Sequence, residues 1–221
     1  MPQIGVFDVV GPIMVGPSSS HTAGAVRLGL AARRILGEDV TKAEIGLHGS
    51  FSATYWGHRT DVAILAGLLG MSMDDERIPT AKEIAAEAGL DFTFQPVDLG
   101  DVHPNSVRMR VSGKSNTVEV VGASTGGGRI SVYEIDRFPV SIDGTYTVLL
   151  ARYKDQPGVV ADITRILASY GINIAFMDVS RKTRGSDALL VAETDDPIVD
   201  DVLDLVRRLQ GGIMARTLPR F

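Results

Sequence analysis

The spacing of apolar positions changes along the chain, and the changes divide it. Residues 4–10 read as a strand that Gly11-Pro12 breaks, followed by a short apolar piece, residues 13–15. Over residues 22–36, Ala25, Leu28, Ala32 and Ile35 recur at helical spacing while Arg27, Arg33 and Arg34 fall largely off that stripe, and Gly37 ends the run. Residues 43–48 predict a short strand that delivers its end into the polar stretch 49–54. A second helix is expected over about residues 61–69, apolar almost all round and therefore buried, and a third over about 81–88, between Pro79 and Gly89. The period then becomes alternating in residues 92–97, 106–111, 117–121 and 129–135, which predicts an antiparallel sheet backed by these helices. Gly126-Gly127-Gly128 lacks the Lys-Ser/Thr of a P-loop and reads as a turn or bulge.

Between residues 138 and 144 Pro, Asp and Gly punctuate the chain, and a self-contained βαββαβ pattern follows. It comprises a strand over 145–153, a helix over 159–170 with Val160, Ile163, Ile166, Leu167 and Tyr170 on one face, and a hairpin of 172–181 with 187–193. A helix over 198–210, with Ile198, Val202, Leu205, Val206 and Leu209 inward, and a strand over 213–218 complete it. Two helices on one face of four strands make a ferredoxin-like module. The expected fold class is α+β in two domains, residues 1–138 and 145–221.

Composition narrows the chemistry. Among 221 residues the net charge is −5, and no Lys/Arg-rich block stands out, so neither nucleic acid nor an anionic membrane is an expected partner. No apolar run is long enough to span a bilayer and no basic leader opens the chain, which makes the cytoplasm the expected compartment. There is no cysteine, so this chain alone offers no disulfide, thiolate nucleophile or thiolate-held metal cluster. No metal site is expected on it either, since no histidine pair has the i, i+4 spacing of a strong one.

The stretch Gly16-Pro17-Ser18-Ser19-Ser20-His21-Thr22-Ala23-Gly24 concentrates four hydroxyls and an imidazole at the start of the first helix. Unpaired N–H groups there suit a carboxylate or phosphate, and the imidazole can move a proton near neutral pH. Capping of the helix by one serine is the plainer use of such residues. No Gly-x-Ser-x-Gly elbow surrounds them, which argues against a hydrolase nucleophile. His58 and Asp61 in Gly57-His58-Arg59-Thr60-Asp61, and His103 and Asn105 in Asp101-Val102-His103-Pro104-Asn105, are candidates to line the same site, whereas His48 reads as a local turn residue. In the second module Asp155-Gln156-Pro157-Gly158 links strand to helix and Gly171-Ile172-Asn173-Ile174 leads into the next strand. Together they suit a small zwitterion, although turn chemistry alone accounts for the first.

The Gly16–Gly24 stretch, Gly49-Ser50-Phe51, Gly57-His58-Arg59-Thr60-Asp61, Asp75-Glu76-Arg77-Ile78-Pro79 and His103-Pro104-Asn105 together resemble the beta chain of iron–sulfur L-serine dehydratases. The C-terminal module resembles an ACT domain. The N-terminal part is also similar to the allosteric substrate-binding domain of some phosphoglycerate dehydrogenases. One departure is visible: Arg59 stands where the family pattern usually has Gly. The resemblance implies conversion of L-serine to pyruvate and ammonia, with a separate alpha chain supplying the cysteines of a [4Fe-4S] cluster. An open iron would act as Lewis acid on the serine hydroxyl; loss of the Cα proton would give aminoacrylate, which hydrolyses. It further implies His21, Ser20 and Thr22 as catalytic residues and Ser18, Ser19, His58, Asp61, His103 and Asn105 as substrate-binding ones. Asp155, Pro157, Gly158, Asn173 and Ile174 become an effector site for serine or a monovalent cation, and paired ACT modules a route to self-association. The contrasting possibility is a stand-alone amino-acid sensor without catalytic activity, which leaves the serine-histidine cluster without a task.

Overall fold

A computed structural model describes residues 13–209 and 213–220; the strand expected over 4–10 lies outside them. The chain divides into two compact units, Met1–Asp136 and Arg137–Phe221.

In the N-terminal unit one π-helical turn, Ser19–Ala23, runs directly into helix α1, Gly24–Leu36. Strand β1 (Lys42–Leu47) is followed by three helices, α2 (Gly49–His58), α3 (Thr60–Leu68) and α4 (Ala81–Glu87). Strands β2 (Asp91–Pro96), β3 (Ser106–Ser112), β4 (Thr117–Gly126) and β5 (Arg129–Ile135) follow. They order as β2-β1-β3-β4-β5. The pairs β3–β4 and β4–β5 are antiparallel as expected, but β2 is not antiparallel to them: β1, which the sequence pattern does not place in this sheet, inserts beside β3, antiparallel to it, and carries β2 as a parallel neighbour, with Ile45 opposite Phe94. The physical reason is the connection: three helices between β1 and β2 form a crossover, and a crossover returns the chain in the same direction.

Helix α2 was not visible in the apolar pattern, which predicts only a polar stretch after residue 48. Gly, Ser and Thr in its first turns are poor helix formers. What builds it is tertiary: Gly49 adopts φ 53°, and Pro104 carbonyl accepts the N–H groups of Ser50 and Phe51. Phe51 is fully buried. The three-glycine run is the β4–β5 turn, with all three residues at positive φ. Arg27, off the α1 stripe, is half-buried; its Nη1–H donates to Gly128 carbonyl at 2.7 Å and ties α1 to that turn. Burial lowers the pKa of its guanidinium from the usual value.

Helices α1 and α3 touch backbone to backbone. A Cβ on Gly67 would stand 2.0 Å from Val26 carbonyl oxygen, and one on Gly29 would stand 2.3 Å from that of Ile64. Beyond the crossing, Arg33 Nη1–H donates to Leu68 carbonyl. At the other end Thr22, Arg59 and Val62 line one small cavity, so the two helices start side by side.

The C-terminal unit contains β6 (Phe138–Ile142), β7 (Thr147–Lys154), helix α5 (Val159–Ser169), β8 (Ile174–Arg181), β9 (Asp187–Thr194), helix α6 (Asp200–Arg207) and β10 (Met214–Leu218). Strand β6 falls where only turn residues were read. The four-stranded sheet orders β10-β7-β9-β8, all antiparallel, the arrangement of a ferredoxin-like βαββαβ module. Leu149, Ala151, Leu190 and Ala192 meet Ile163, Leu167, Val202 and Val206 in its core. Each helix face keeps most of its expected inward residues, Ile163 and Leu167 on one and Ile198, Val202 and Val206 on the other, and differs at one position. Leu203, not Leu205, is buried in α6, and Tyr170 lies 45% exposed past the end of α5.

Gly29→Ala and Gly67→Ala are each expected to destabilise the N-terminal unit by about 2–3 kcal/mol, because backbone cannot yield as a flexible side chain would. Gly57→Ala, an exposed α2 position with nothing within 4 Å, should instead stabilise by about 0.5–1 kcal/mol. Urea unfolding of the three variants measures both signs.

Candidate active site

The hydroxyl-rich segment folds as a wound N-terminus. Ser18, in extended conformation, caps it: its Oγ accepts the His21 N–H at 3.1 Å, and its carbonyl accepts the N–H groups of Thr22 and Ala23. The N–H of Gly24 reaches back to Ser19 carbonyl, a five-residue step that makes this turn a π-turn. Such insertions widen the helix and recur at functional sites. Position alone leaves the N–H groups of Ser19 and Ser20 without intrahelical acceptors. Ser20 borders the glycine turn, since a Cβ on Gly126 would lie 4.0 Å from Ser20 Oγ.

The π-turn places the His21 ring between two others. Phe51 stands edge-on, with centroids 5.3 Å apart, and His58 lies 4.7 Å away at a tilt of 34°. His21 Nε2 is 3.2 Å from Ser50 Oγ. Burial, and then coulombic repulsion from the neighbouring His58, push the His21 pKa below the usual imidazole value, which favours the neutral ring. His58 Nδ1 is buried and has no hydrogen-bond partner among the described residues; the same holds for Thr22 Oγ1 and Ser124 Oγ. Ser124 Oγ presses on Gly24, where a Cβ would stand 2.0 Å away. Among the described residues no group of three or more His, Cys, Asp and Glu side chains could hold a metal ion.

The loop carrying His103 and Asn105 is tied in through its backbone. Pro104 carbonyl holds the start of α2, Asn105 carbonyl accepts the Ser124 N–H at 3.0 Å, and His103 Nδ1 accepts the Asn105 N–H at 3.1 Å. Its histidine is exposed. Asp61 is held within the fold: its carboxylate is 6% exposed and is paired with the Lys82 ammonium from α4. His48 does not bond within its own turn as expected: its Nδ1 accepts the N–H of Leu99, in the segment after β2, at 3.2 Å. The structure adds Ser50, Phe51 and Ser124, which sequence reasoning had not placed in the site. Gly49-Ser50-Phe51 at the end of a strand was the available signal; Ser124, inside a β-strand, offered none. Arg59 takes the left-handed conformation, φ 54° and ψ 38°, that separates α2 from α3, so the turn after His58 has the shape a glycine would give it.

In the second unit the residues expected to take an effector divide. Asp155 Oδ2 accepts Arg181 Nη1–H at 2.6 Å and the Gly185 N–H at 3.0 Å, and these bonds hold its pKa below the usual carboxylate value. Asn173 Nδ2–H donates to Asp195 at 2.6 Å. Both side chains therefore stitch loops. Gly158 lies at φ 96° with nothing within 4 Å of a would-be Cβ, leaving an open backbone surface after Pro157 and at the head of α5.

Comparison with known proteins matches this layout. A family model described as "Serine dehydratase beta chain" matches residues 5–89, and one described as "ACT domain" matches residues 147–211. A probable L-serine dehydratase beta chain of Bacillus subtilis is 42% identical over 204 residues, covering 92% of this chain and 93% of the relative. The L-serine dehydratase beta chain of Peptoniphilus asaccharolyticus is 38% identical over 204 residues, 91% and 92% of the two chains. A D-3-phosphoglycerate dehydrogenase of Synechocystis is 25% identical over 85% of this chain but only 34% of its own.

His21 is expected to titrate below the ordinary histidine value of about 6.5. His58→Gln should raise its midpoint only partway, since burial, the larger cause, remains. Because the unfolded chain takes up this proton first, the contribution of His21 to stability is present above about pH 6.5 and is lost as pH falls through the folded value. An NMR titration of the imidazole signals checks the midpoint, and a His21 value unmoved in His58→Gln contradicts the coupling.

Proposed function

We propose that this chain, which belongs to the serine dehydratase beta-chain family, forms one wall of an L-serine dehydratase active site that a separate alpha chain completes. The observation that carries the reading is the placement of the His21 ring, with Nε2 3.2 Å from Ser50 Oγ and the His58 ring beside it, at a helix N-terminus rich in serine hydroxyls; burial and His58 favour its neutral form. Removal of water from serine requires a base for the Cα proton beside a grip on the carboxylate. A neutral imidazole is competent to take a proton at pH 7, whereas an imidazolium is not. The N–H groups of Ser19 and Ser20, with the hydroxyls of Ser18, Ser19 and Ser20, hold the carboxylate at the positive end of α1. His21 takes or relays the Cα proton, and His58 lies close enough to pass it on or to resist a second charge. Thr22, buried below them, shapes the turn and lines the small cavity beside Arg59. His103 and Asn105 border the substrate from the loop that anchors α2.

The [4Fe-4S] cluster that the family resemblance implies finds no thiolate ligand here, because the chain has no cysteine; its Lewis-acid chemistry on the leaving hydroxyl belongs to the alpha chain. We assign the ACT unit a regulatory role, with a small amino acid meeting the backbone at Pro157, Gly158 and Ile174 and with copies of the chain paired through these units. Among the described residues no helix is long and apolar enough to cross a membrane.

Anaerobic co-expression with the alpha chain, followed by a serine-dependent pyruvate assay, tests the proposal. His21→Ala should reduce kcat by at least about 100-fold while the two chains still co-purify. Near-normal turnover would remove His21 from the chemistry. A colourless homodimer that binds amino acids and recruits no partner would replace the dehydratase with a sensor.

A further inference from the structure

Ser50 lies outside the hydroxyl-rich turn, on a different helix, yet its side chain reaches Nε2 of the His21 ring. Its position is fixed from three sides. The N–H donates to Pro104 carbonyl at 2.8 Å, the carbonyl accepts Thr54 Oγ1–H at 2.8 Å, and Gly49 before it sits at φ 53° with Pro104 so near that a Cβ would stand 2.7 Å from its carbonyl oxygen. A serine hydroxyl beside an imidazole at a helix N-terminus has the look of a nucleophile with its base. The backbone of α2 does not support that role. The N–H groups of Ser50 and Phe51 are both spent on Pro104, and that of Ser52 on His48, so α2 itself supplies no oxyanion donor beside the hydroxyl.

We infer that Ser50 is a positioning residue for His21, accepting a hydrogen bond from Nε2–H and so leaving the lone pair on Nδ1 as the site that takes a proton. The inference deepens the reading of His21 as proton carrier and rests on it. A neutral imidazole has one N–H and one lone pair, and the partner of one nitrogen decides the task of the other. His21 is gripped by its faces, against Phe51 and His58, and by its backbone N–H on Ser18; Ser50 is the one partner in hydrogen-bond reach of a ring nitrogen among the described residues. A hydroxyl suits the task better than a carboxylate would. A carboxylate at 3.2 Å would stabilise the imidazolium and raise its proton affinity, opposing what burial and His58 do. The hydroxyl orients without charging, and its own proton stays available to a ligand oxygen.

The test has two arms. In NMR spectra of the full chain, the His21 Nε2–H proton is expected to be protected from exchange and visible, to disappear in Ser50→Ala and to return in Ser50→Thr. In the reconstituted complex Ser50→Ala should lower kcat about 10-fold to 100-fold with KM little changed, and Ser50→Thr should recover most of the loss. A Nε2–H signal that survives Ser50→Ala overturns the contact. A signal lost with kcat unchanged overturns the positioning role. If the wild-type complex does not dehydrate serine, the assigned reaction fails, and the spectral arm alone decides whether Ser50 sets the His21 ring.

Discussion

The N-terminal unit depends on two helices meeting with no side chain between them. Gly29 and Gly67 let α1 and α3 approach until backbone touches backbone, and every contact at their starts inherits that separation. The start of α1 carries His21, and the residue two before the start of α3 is His58. Their rings stand 4.7 Å apart because the crossing a few turns away fixes the distance between the helix ends. A methyl group at either glycine would wedge the helices apart by an amount comparable to the hydrogen-bond tolerance of the site. Packing and chemistry are thus linked through rigid geometry, and the site needs no flexible loop to assemble it.

The electrostatics follow from what this arrangement leaves out. His21 has hydroxyls and aromatic edges around it, and its described hydrogen-bond partners include no carboxylate. Asp61, close by in sequence, is neutralised by Lys82 behind α3 and is kept from acting as a counter-ion. Burial and a second imidazole then both disfavour the charged ring. Buried, unpartnered hydroxyls at Thr22 and Ser124 add dipoles without net charge. For a proton acceptor at neutral pH this is the favourable direction, because a ring that begins empty can take a proton. In the proposed role the anion grip would come from peptide N–H groups, which cannot be lost by titration.

Much of this architecture was legible in the amino-acid sequence, and the exceptions share a cause. The α1 stripe, the alternating strands and the whole βαββαβ order are local patterns set by periodicity, and Ala25, Leu28, Ala32 and Ile35 are all buried as read. The hydroxyl cluster stood out because four such groups around one imidazole have no packing explanation. Helix α2 was hidden because its stability comes from Pro104, more than forty residues away, and not from its own Gly, Ser and Thr. The parallel β1–β2 pair, the inward turn of Leu203 and the capture of Asp61 by Lys82 are likewise decisions of tertiary context, which no window of sequence contains. Ser50 was hidden for the same reason, as its importance lies in which ring it faces.

Arg59 shows how strongly the site constrains the chain that connects its parts. An arginine in the left-handed region is disfavoured by about 1 kcal/mol or more relative to its ordinary conformations, and the family resemblance leads one to expect glycine there. The arginine nevertheless adopts φ 54°, and its Nη2–H donates to Pro79 carbonyl at 2.8 Å, an interaction glycine could not make. Relaxing Arg59 to a right-handed conformation would merge α2 and α3 into one longer helix. That helix would carry His58 around its axis and away from the His21 ring, and would break the α3 register that sets Gly67 against Val26. The strain is therefore the consequence of two fixed points, a ring pair on one side and a glycine crossing on the other. Only one residue lies between His58 and the first residue of α3, so the deviation falls on it.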